Sequence, residues 1–416
     1  MKSFTLQNGF CYHIDSVPTS NAVSMLILVN VGSRFEPTNL LGMSHLLEHL
    51  LFRGSKRYKK ESEISVLFDK LGAKFNAFAD KDISGYHIKV DADKYIKALD
   101  ILADFMLNPL LKSTHLKKEK QIVFSELEQR DDDPNQKTLF DFTDFVFKGH
   151  PLEKNVGGNF KTINRISRKN LIDFHNKFYV PKNMILSVSG RFQMNTIQAQ
   201  IKKLFSSKSV DLTKESKLFV PNNKLIQKHN KQKLNQVHFA IGFPTFGIAS
   251  EQIFALEVLT KILGDMSSSR LFQIVREKNS LVYRIKASDK QYRNGGYFLI
   301  EFSAEQKNVQ KALFLIFNQL KVIKTKLVSV DELNKAKENI KSVTKLKQEN
   351  TLKKACFYGI QLIYNLKPID FKEYLVKIHS VTSRDLLVLA KSLFVKDKLV
   401  AVSTGVLNCS FEKYDY

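Results

Sequence analysis

Two histidines and a glutamate in one short apolar segment have the types and spacing of a metal site. His45, Glu48 and His49 lie among leucines in the segment from Gly42 to Phe52. On a helix, positions four apart share one face, so both imidazoles point the same way and Glu48 accompanies them. Two such imidazoles suit zinc, and the carboxylate can reach a metal-bound water. The segment therefore predicts a zinc-binding helix with its own general base.

A third metal ligand must come from elsewhere, because catalytic zinc usually takes three protein ligands and leaves one position for water. A predicted helix from Lys117 to Glu128 offers Glu119 and Glu126, which share one face. Glu126 follows an apolar run and is expected to face inward as the ligand, while Glu119 is expected to hydrogen-bond a histidine. The alternative is a surface helix with two unrelated histidines. The apolar flanks of the motif and the matching glutamate helix argue against it.

The elements that must position these residues follow from hydrophobic periodicity and turn residues. The first half predicts the order strand, strand, helix, helix, hairpin, helix, helix, helix, strand. The expected ranges are 4–14, 22–31, 39–52, 62–71, 75–79 with 84–90, 93–106, 114–129, 168–178 and 184–189. Gly72 suits a left-handed cap that ends the second helix. Pro134 and the three aspartates before it are expected to end the helix that carries Glu126.

The second half repeats the order strand, helix, helix, hairpin, helix, helix. The expected ranges are 236–242, 251–263, 270–279, 282–288 with 296–303, 307–323 and 330–345. This repetition indicates an internal duplication with a period of roughly 200 residues. We therefore predict an α+β fold with two homologous domains, each a mostly antiparallel sheet with helices packed on it. The expected division is a zinc-binding domain at 1–208, a Lys-, Ser- and Asn-rich linker at 209–234 and a second domain at 235–416.

Composition excludes several classes of protein. The chain has 416 residues, with 43% hydrophobic and 25% charged residues, which is a folded globular balance. Three distant cysteines exclude a disulfide scaffold and a cysteine-based zinc finger. The net charge of +24 comes from lysines spread along predicted helices without interleaved aromatic residues, so nucleic-acid binding is not expected. No apolar run long enough to cross a membrane and no leader-like start are seen, so a cytoplasmic protein is expected.

The order His-x-x-Glu-His is the inverted zincin motif. With it, the sequence resembles the pitrilysin family of zinc metallopeptidases, in the subgroup of the mitochondrial processing peptidase β-subunit and its short bacterial relatives. The resemblance covers nearly the whole chain. The segments that match in order are a strand-to-loop lead-in at 30–36, the zinc helix at 42–55, an active-site edge strand at 71–79, the third-ligand helix at 122–126 and an Arg/Tyr segment at 268–283.

The resemblance implies roles for the candidates in the zinc domain. His45, His49 and Glu126 would bind one zinc ion. Glu48 would deprotonate the metal-bound water and later pass the proton to the leaving amine. The strand residues Asn76, Ala77 and Phe78 would hold an extended substrate by strand addition to a sheet edge. Read without the resemblance, Asn76 fits a turn residue equally well.

The resemblance also assigns a pair in the second half. Arg276 and Tyr283 would hold the substrate backbone and stabilise the tetrahedral oxyanion. Read alone, they fit better as a surface ion-pair residue and a core aromatic. Ala79 stands where a hydroxyl residue is common in the family, which affects the expected positioning of substrate but not the metal site.

The family further implies an assembly. Its short members form clam-shell dimers in which the zinc domain of one subunit faces the Arg/Tyr domain of the other. This chain carries both motifs, so we expect a homodimer with composite sites that hydrolyses peptides or unfolded segments as a zinc endopeptidase. The alternative is a non-catalytic scaffold on the same fold, but scaffolds typically lose the ligand set that is intact here. The preferred charge of the substrate stays open, because the net charge of the chain does not give the charge of the chamber that a clam-shell dimer encloses.

Overall fold

Six strands from the first half of the chain form one sheet. This computed structural model of the protein describes residues 2–207, 226–407, 411 and 414. The strands are β1 (Lys2–Thr5), β2 (Cys11–Ser16), β3 (Ala22–Val29), β4 (Lys74–Ala79), β5 (Ser84–Asp91) and β6 (Met184–Gly190). Their order is β1-β2-β6-β3-β5-β4, with β2 and β6 parallel and the other neighbours antiparallel. β4 is therefore an edge strand of this sheet.

Five strands from the second half form a second sheet. They are β7 (Ile226–Lys231), β8 (Gln236–Thr245), β9 (Val282–Gln291), β10 (Gly296–Glu305) and β11 (Val400–Gly405). The order β7-β11-β8-β10-β9 repeats that of the first sheet without β1, and the single parallel pair, β7 with β11, occupies the equivalent place. The predicted α+β duplication with mostly antiparallel sheets is confirmed.

Helices connect and cover the strands. They are α1 (Met43–Leu51), α2 (Glu63–Leu71), α3 (Tyr95–Leu107), α4 (Ser113–Asp132), α5 (Pro134–Val146), α6 (Phe160–Arg165), α7 (Arg168–Phe178), α8 (Met194–Phe205), α9 (Ile253–Gly264), α10 (Gln306–Thr325), α11 (Val330–Gln348), α12 (Thr351–Ile363), α13 (Phe371–Ser380) and α14 (Ser383–Leu393). No helix in the described part of the chain is long and apolar enough to cross a membrane.

The two faces of the first sheet differ in character. Alternate residues of β3, among them Val23, Met25 and Ile27, are buried in a core that includes the leucines of α1. The opposite face of β3 is covered by α12, where the Ser24 and Thr351 hydroxyls lie 2.8 Å apart. The metal helix thus packs on the apolar face, and α12 packs on a more polar one.

The chain divides into two compact units, each assembled from three segments. The first unit holds the described parts of Met1–Leu127, Lys154–Glu215 and Lys345–Asp370, and the second holds Glu128–Glu153, Ser216–Thr344 and Phe371–Tyr416. α5 therefore belongs to the second unit and α12 to the first. The sequence-based division into continuous domains at 1–208 and 235–416 stays a prediction.

The structure departs from the sequence-based expectations after α4 and in the expected linker. The aspartates before Pro134 end α4 as expected, but the Asp133 side chain then accepts from two backbone N–H groups and begins α5 at Pro134. Within the expected linker, residues 226–231 form β7, and residues 209–225 lie outside the described residues. β7 is an edge strand that pairs through its backbone with β11, and its side chains are mostly polar. Its sequence therefore lacks the apolar alternation that would predict a strand.

Candidate metal centre

The start of α1 is fixed by a buried carboxylate. Glu36, in the loop before the helix, accepts from the backbone N–H groups of Gly42 at 2.6 Å and Ser44 at 2.7 Å. Burial raises the pKa of Glu36 to about 7, although these hydrogen bonds act in the opposite direction. Gly42 has φ of 100°, and a Cβ there would lie 2.3 Å from the Ile163 side chain, so glycine is required. The loop thereby sets the position of the metal helix.

The three expected ligands come together. His45 Nε2 lies 3.5 Å from Glu126 Oε2, and His49 Nε2 lies 3.8 Å from Glu126 Oε1. One potential ligand atom from each residue lies within 4.8 Å of the other two. Donor atoms at the corners of a tetrahedral zinc site are separated by about 3.3 Å, given bonds of about 2.0–2.1 Å. Two imidazoles and a carboxylate at these separations therefore fit a zinc ion.

Glu119 supports one of the two histidines. Its Oε2 lies 3.0 Å from His49 Nδ1, and its Oε1 lies 2.6 Å from Arg53 Nε. Because an ionised carboxylate only accepts, His49 donates from Nδ1 and presents Nε2 to Glu126. The Glu119 side chain is 1% exposed and the Glu126 side chain is 44% exposed. Glu126 therefore faces the two histidines, as expected, but its side chain is open to solvent. The buried carboxylate is that of Glu119.

The two imidazoles have different electrostatic surroundings. Burial, and then the neighbouring His49, lower the pKa of His45 to about 4. Burial also acts to lower the pKa of His49, but the Glu119 hydrogen bond and nearby carboxylates outweigh it, and the net shift is upward. A neutral imidazole is the form that binds metal. His45 is therefore in the metal-binding form at neutral pH, whereas the upward pKa shift of His49 means that a metal ion would compete with a proton for this ring.

Glu48, on α1, faces the edge strand β4. Burial raises the pKa of Glu48, while the backbone N–H of Ala79, which donates to its carboxylate, acts to lower it. A cavity of about 320 Å³ opens beside it. The lining residues come from α1 and the turn after it, α2, β4 and α4, and are Glu48, His49, Phe52, Arg53, Ser65, Phe75, Asn76, Ala77 and Glu119. A carboxyl group with a raised pKa, next to a candidate metal site, is suited to proton transfer.

The expected substrate strand is β4. Asn76 is exposed, Ala77 and Phe78 are half-buried, and the Asn76 side chain accepts from the Ala77 N–H at 2.9 Å. Because β4 pairs with β5 on one side and is the last strand of its sheet, its other side is available for pairing with an extended peptide. Asn76 lies within this strand, so the alternative of a turn residue does not hold.

Arg276 and Tyr283 come together in the second unit. The Arg276 guanidinium lies 5.6 Å from the centre of the Tyr283 ring and 4.6 Å from that of Phe272. Arg276 lies in a π-helical turn, Phe272–Glu277, where an α-helix was expected. Tyr283 is 81% exposed and is thus not the core aromatic that its sequence suggests. Both residues line an open cavity of about 430 Å³.

Two residues of this region were not predicted from sequence. Glu36 lies six residues before the first N–H that it accepts from, and Arg53 lies four residues after His49. An acid upstream of a helix and a cation one turn after a ligand are weak signals, because both depend on loop geometry and on a partner from another helix.

Models of two known protein families match the chain. The family described as "Insulinase (Peptidase family M16)" matches residues 13–158, and the one described as "Peptidase M16 inactive domain" matches residues 165–340. The first match contains the candidate metal ligands His45, His49 and Glu126. The second covers part of the other half of the chain, which carries no His-x-x-Glu-His motif.

Similar proteins extend over nearly the full chain. The "Uncharacterized zinc protease YmxG" of Bacillus subtilis is 28% identical, covering 97% of this chain and 98% of the relative. An "Uncharacterized zinc protease" of Rickettsia bellii is 29% identical, covering 95% and 96%. The crystal structure of a protease from Helicobacter pylori has a TM-score of 0.90 at 25% identity, covering 97% and 99%. The chain belongs to peptidase family M16, the pitrilysin family.

Proposed function

We propose that the protein is a zinc-dependent endopeptidase that cleaves peptides or unfolded segments. The observation that carries this proposal is the intact set of two histidines and Glu126 within ligand distance, with Glu48 beside it. The zinc ion, when bound, would supply Lewis-acid chemistry, which acidifies water and polarises a carbonyl. His45, His49 and Glu126 would hold it.

The residues of the chain would carry the other steps. A peptide added to the free edge of β4 would be extended, which is the form in which a backbone exposes its carbonyl groups. Glu48 would accept the proton of the attacking water and pass it to the leaving amine. The raised pKa of Glu48 supports the acceptance, because it makes this carboxylate a stronger base than an ordinary glutamate.

We further propose a homodimer with composite active sites. Arg276 and Tyr283 present a guanidinium and an exposed phenol beside one cavity, which suits a pair of donors for a peptide carbonyl or an oxyanion. In this proposal they act on the substrate bound at the zinc centre of a second copy. Mixed dimers of Glu48→Gln and Arg276→Ala subunits should regain part of the activity, since one composite site would be intact. Activity no higher than that of either variant alone would contradict shared sites.

The decisive experiment is cleavage of a mixed peptide library, read by mass spectrometry. The zinc-loaded protein is compared with protein treated with a chelator, with Glu48→Gln and with Glu128→Gln, an exposed glutamate on the same helix as Glu126. Cleavage that is lost with the chelator and in Glu48→Gln, but kept in Glu128→Gln, would support the proposal. No cleavage by the zinc-loaded protein would favour the scaffold alternative.

A further inference from the structure

On the face of the first sheet that α12 covers, rows of side chains run across β3 and β5 and end at β4, the expected substrate strand. In the register of the sheet, Asn76 lies opposite His87, and His87 lies opposite Leu26. One row further along, Lys74 lies opposite Lys89, and Lys89 lies opposite Ser24. Directly opposed residues of neighbouring strands point to the same face. Lys74, Asn76, His87 and Lys89 therefore share the face that α12 covers further along the sheet.

The cover that α12 provides is concentrated at the middle of the sheet. Gly359 approaches so closely there that a Cβ would lie 3.3 Å from Ser187 and 3.4 Å from Leu26, and both of these residues are buried. At the edge the face is open, because Lys74 and Asn76 are exposed and Lys89 is half-buried. The open end of this face thus lies on β4 and β5, beside the edge where a peptide would pair.

The open end is cationic. Burial lowers the pKa of His87, and the nearby charge of Lys353, an exposed residue of α12, lowers it further. Within the part of the chain that is described, Lys74, Lys89 and Lys353 form no ion pair, whereas the next lysine of α12, Lys354, pairs with Asp15 at 2.8 Å. We call Lys74, Lys89 and Lys353 the cationic patch.

The arrangement of like charges lacks a structural explanation. Like charges directly opposite each other in a sheet are destabilising, so Lys74 and Lys89 weaken the pairing of β4 with β5. The acid that follows on β5, Asp91, lies two residues beyond Lys89, and its carboxylate accepts from the Asp93 N–H at 2.9 Å. An acidic group supplied by another molecule would relieve this repulsion.

An added peptide strand would place alternate side chains on the two faces of the sheet. Those on one face would enter the cavity formed with α1, where Phe75 and Ala77 lie beside Glu48. Those on the other face would lie opposite Lys74 and Asn76. We propose that the cationic patch is a subsite for acidic side chains, so that the enzyme prefers peptides with Asp or Glu at alternate positions of the segment that pairs with β4. This inference rests on the proposed peptidase function.

The test uses sets of matched peptides. Within a set, a single position carries Glu, Gln or Lys, and that position lies on one side of the scissile bond in one set and on the other side in the next. Wild-type protein should cleave the best Glu peptide with a kcat/KM about fivefold above its Gln counterpart, mostly through KM. The preference should fall as salt is raised, because salt screens charges at an accessible site. In Lys74→Glu/Lys89→Glu the preference should be lost or reversed toward Lys. The matched control is Lys203→Glu on α8, an exposed lysine away from this sheet face, which should behave like the wild type.

The outcomes separate this inference from the function on which it rests. Equal cleavage of the Glu and Gln peptides by the wild type, or an acidic preference retained in the double variant, would overturn the subsite while leaving the peptidase intact. Cleavage of none of the peptides would count against the peptidase itself. Circular dichroism and zinc content of the double variant report its folding, and Lys74→Gln/Lys89→Gln provides a milder second variant.

Discussion

Glu119 Oε2 lies 3.0 Å from Nδ1 of His49, whereas Nδ1 of His45 is buried without a hydrogen-bond partner among the described residues. The two histidines of one helix are therefore held differently. His49 has its ring orientation set by a carboxylate that is itself paired with Arg53, and His45 depends on the packing of α1. Support of this kind fixes which ring nitrogen is free for metal.

Replacing Glu119 with glutamine should weaken zinc binding by about 10–100-fold, because Gln keeps the shape but removes the negatively charged acceptor that orients the His49 ring and raises its basicity as a ligand. Competition with a chromogenic chelator would measure the change in affinity. Glu128→Gln, on the exposed side of the same helix, is the matched control and should bind zinc as the wild type does. Equal affinity in both variants would show that Glu119 does not support the metal site.

Replacing Glu48 with glutamine should lower kcat by at least about 10³-fold and leave one zinc ion per chain, because an amide cannot take up the proton of water and Glu48 is not a ligand. Peptide cleavage and metal analysis of the same sample would measure both quantities. A Glu48→Gln protein that lacks zinc would instead show that this carboxylate takes part in metal binding.

Helical spacing explains why much of the candidate site could be predicted. The positions of His45, Glu48 and His49 on one face follow from local sequence alone, and the apolar run before Glu126 was enough to select its helix. The repeated order of elements predicted the duplication, which the matching strand order of the two sheets confirms. These features depend on residues that are near one another in the chain.

Contacts between distant segments could not be predicted in the same way. α12 contacts Ser24 through Thr351, more than three hundred residues along the chain, and its own sequence does not indicate which sheet it covers. Glu119, the buried one of the two glutamates, pairs with Arg53, which comes from the turn after α1. The capping role of Glu36 depends on the path of a loop, which no periodic pattern reports.

Replacing Glu36 with alanine should destabilise the first unit by about 2–4 kcal/mol, because the N–H groups of Gly42 and Ser44 would lose their buried acceptor. Urea unfolding of metal-free protein, followed by circular dichroism, should show a lower midpoint. Glu128→Ala provides the exposed control and should unfold at the wild-type midpoint. Equal midpoints in all three proteins would mean that water or another group replaces the carboxylate.

His13 should make stability depend on pH below neutrality. It is buried, its ring centre lies 4.3 Å from that of Tyr358, and its Nε2 has no hydrogen-bond partner among the described residues. Burial, opposed in part by Asp15, lowers the pKa of His13 from its ordinary 6.5 to about 4. The unfolded chain therefore takes up a proton at a higher pH than the folded chain does.

The sign follows from that difference. The contribution of His13 to stability is complete above pH 6.5 and is lost as the pH falls from 6.5 toward 4, by up to about 3 kcal/mol. His13→Gln removes the titrating group, so its free energy of unfolding should decline less than that of the wild type over this interval. His379→Gln, at an exposed position on α13, should keep the wild-type decline. Unfolding of metal-free protein at several pH values would measure how the free energy of unfolding changes with pH in the three proteins. Parallel slopes for His13→Gln and the wild type would mean that His13 is protonated in the folded protein as easily as in the unfolded chain.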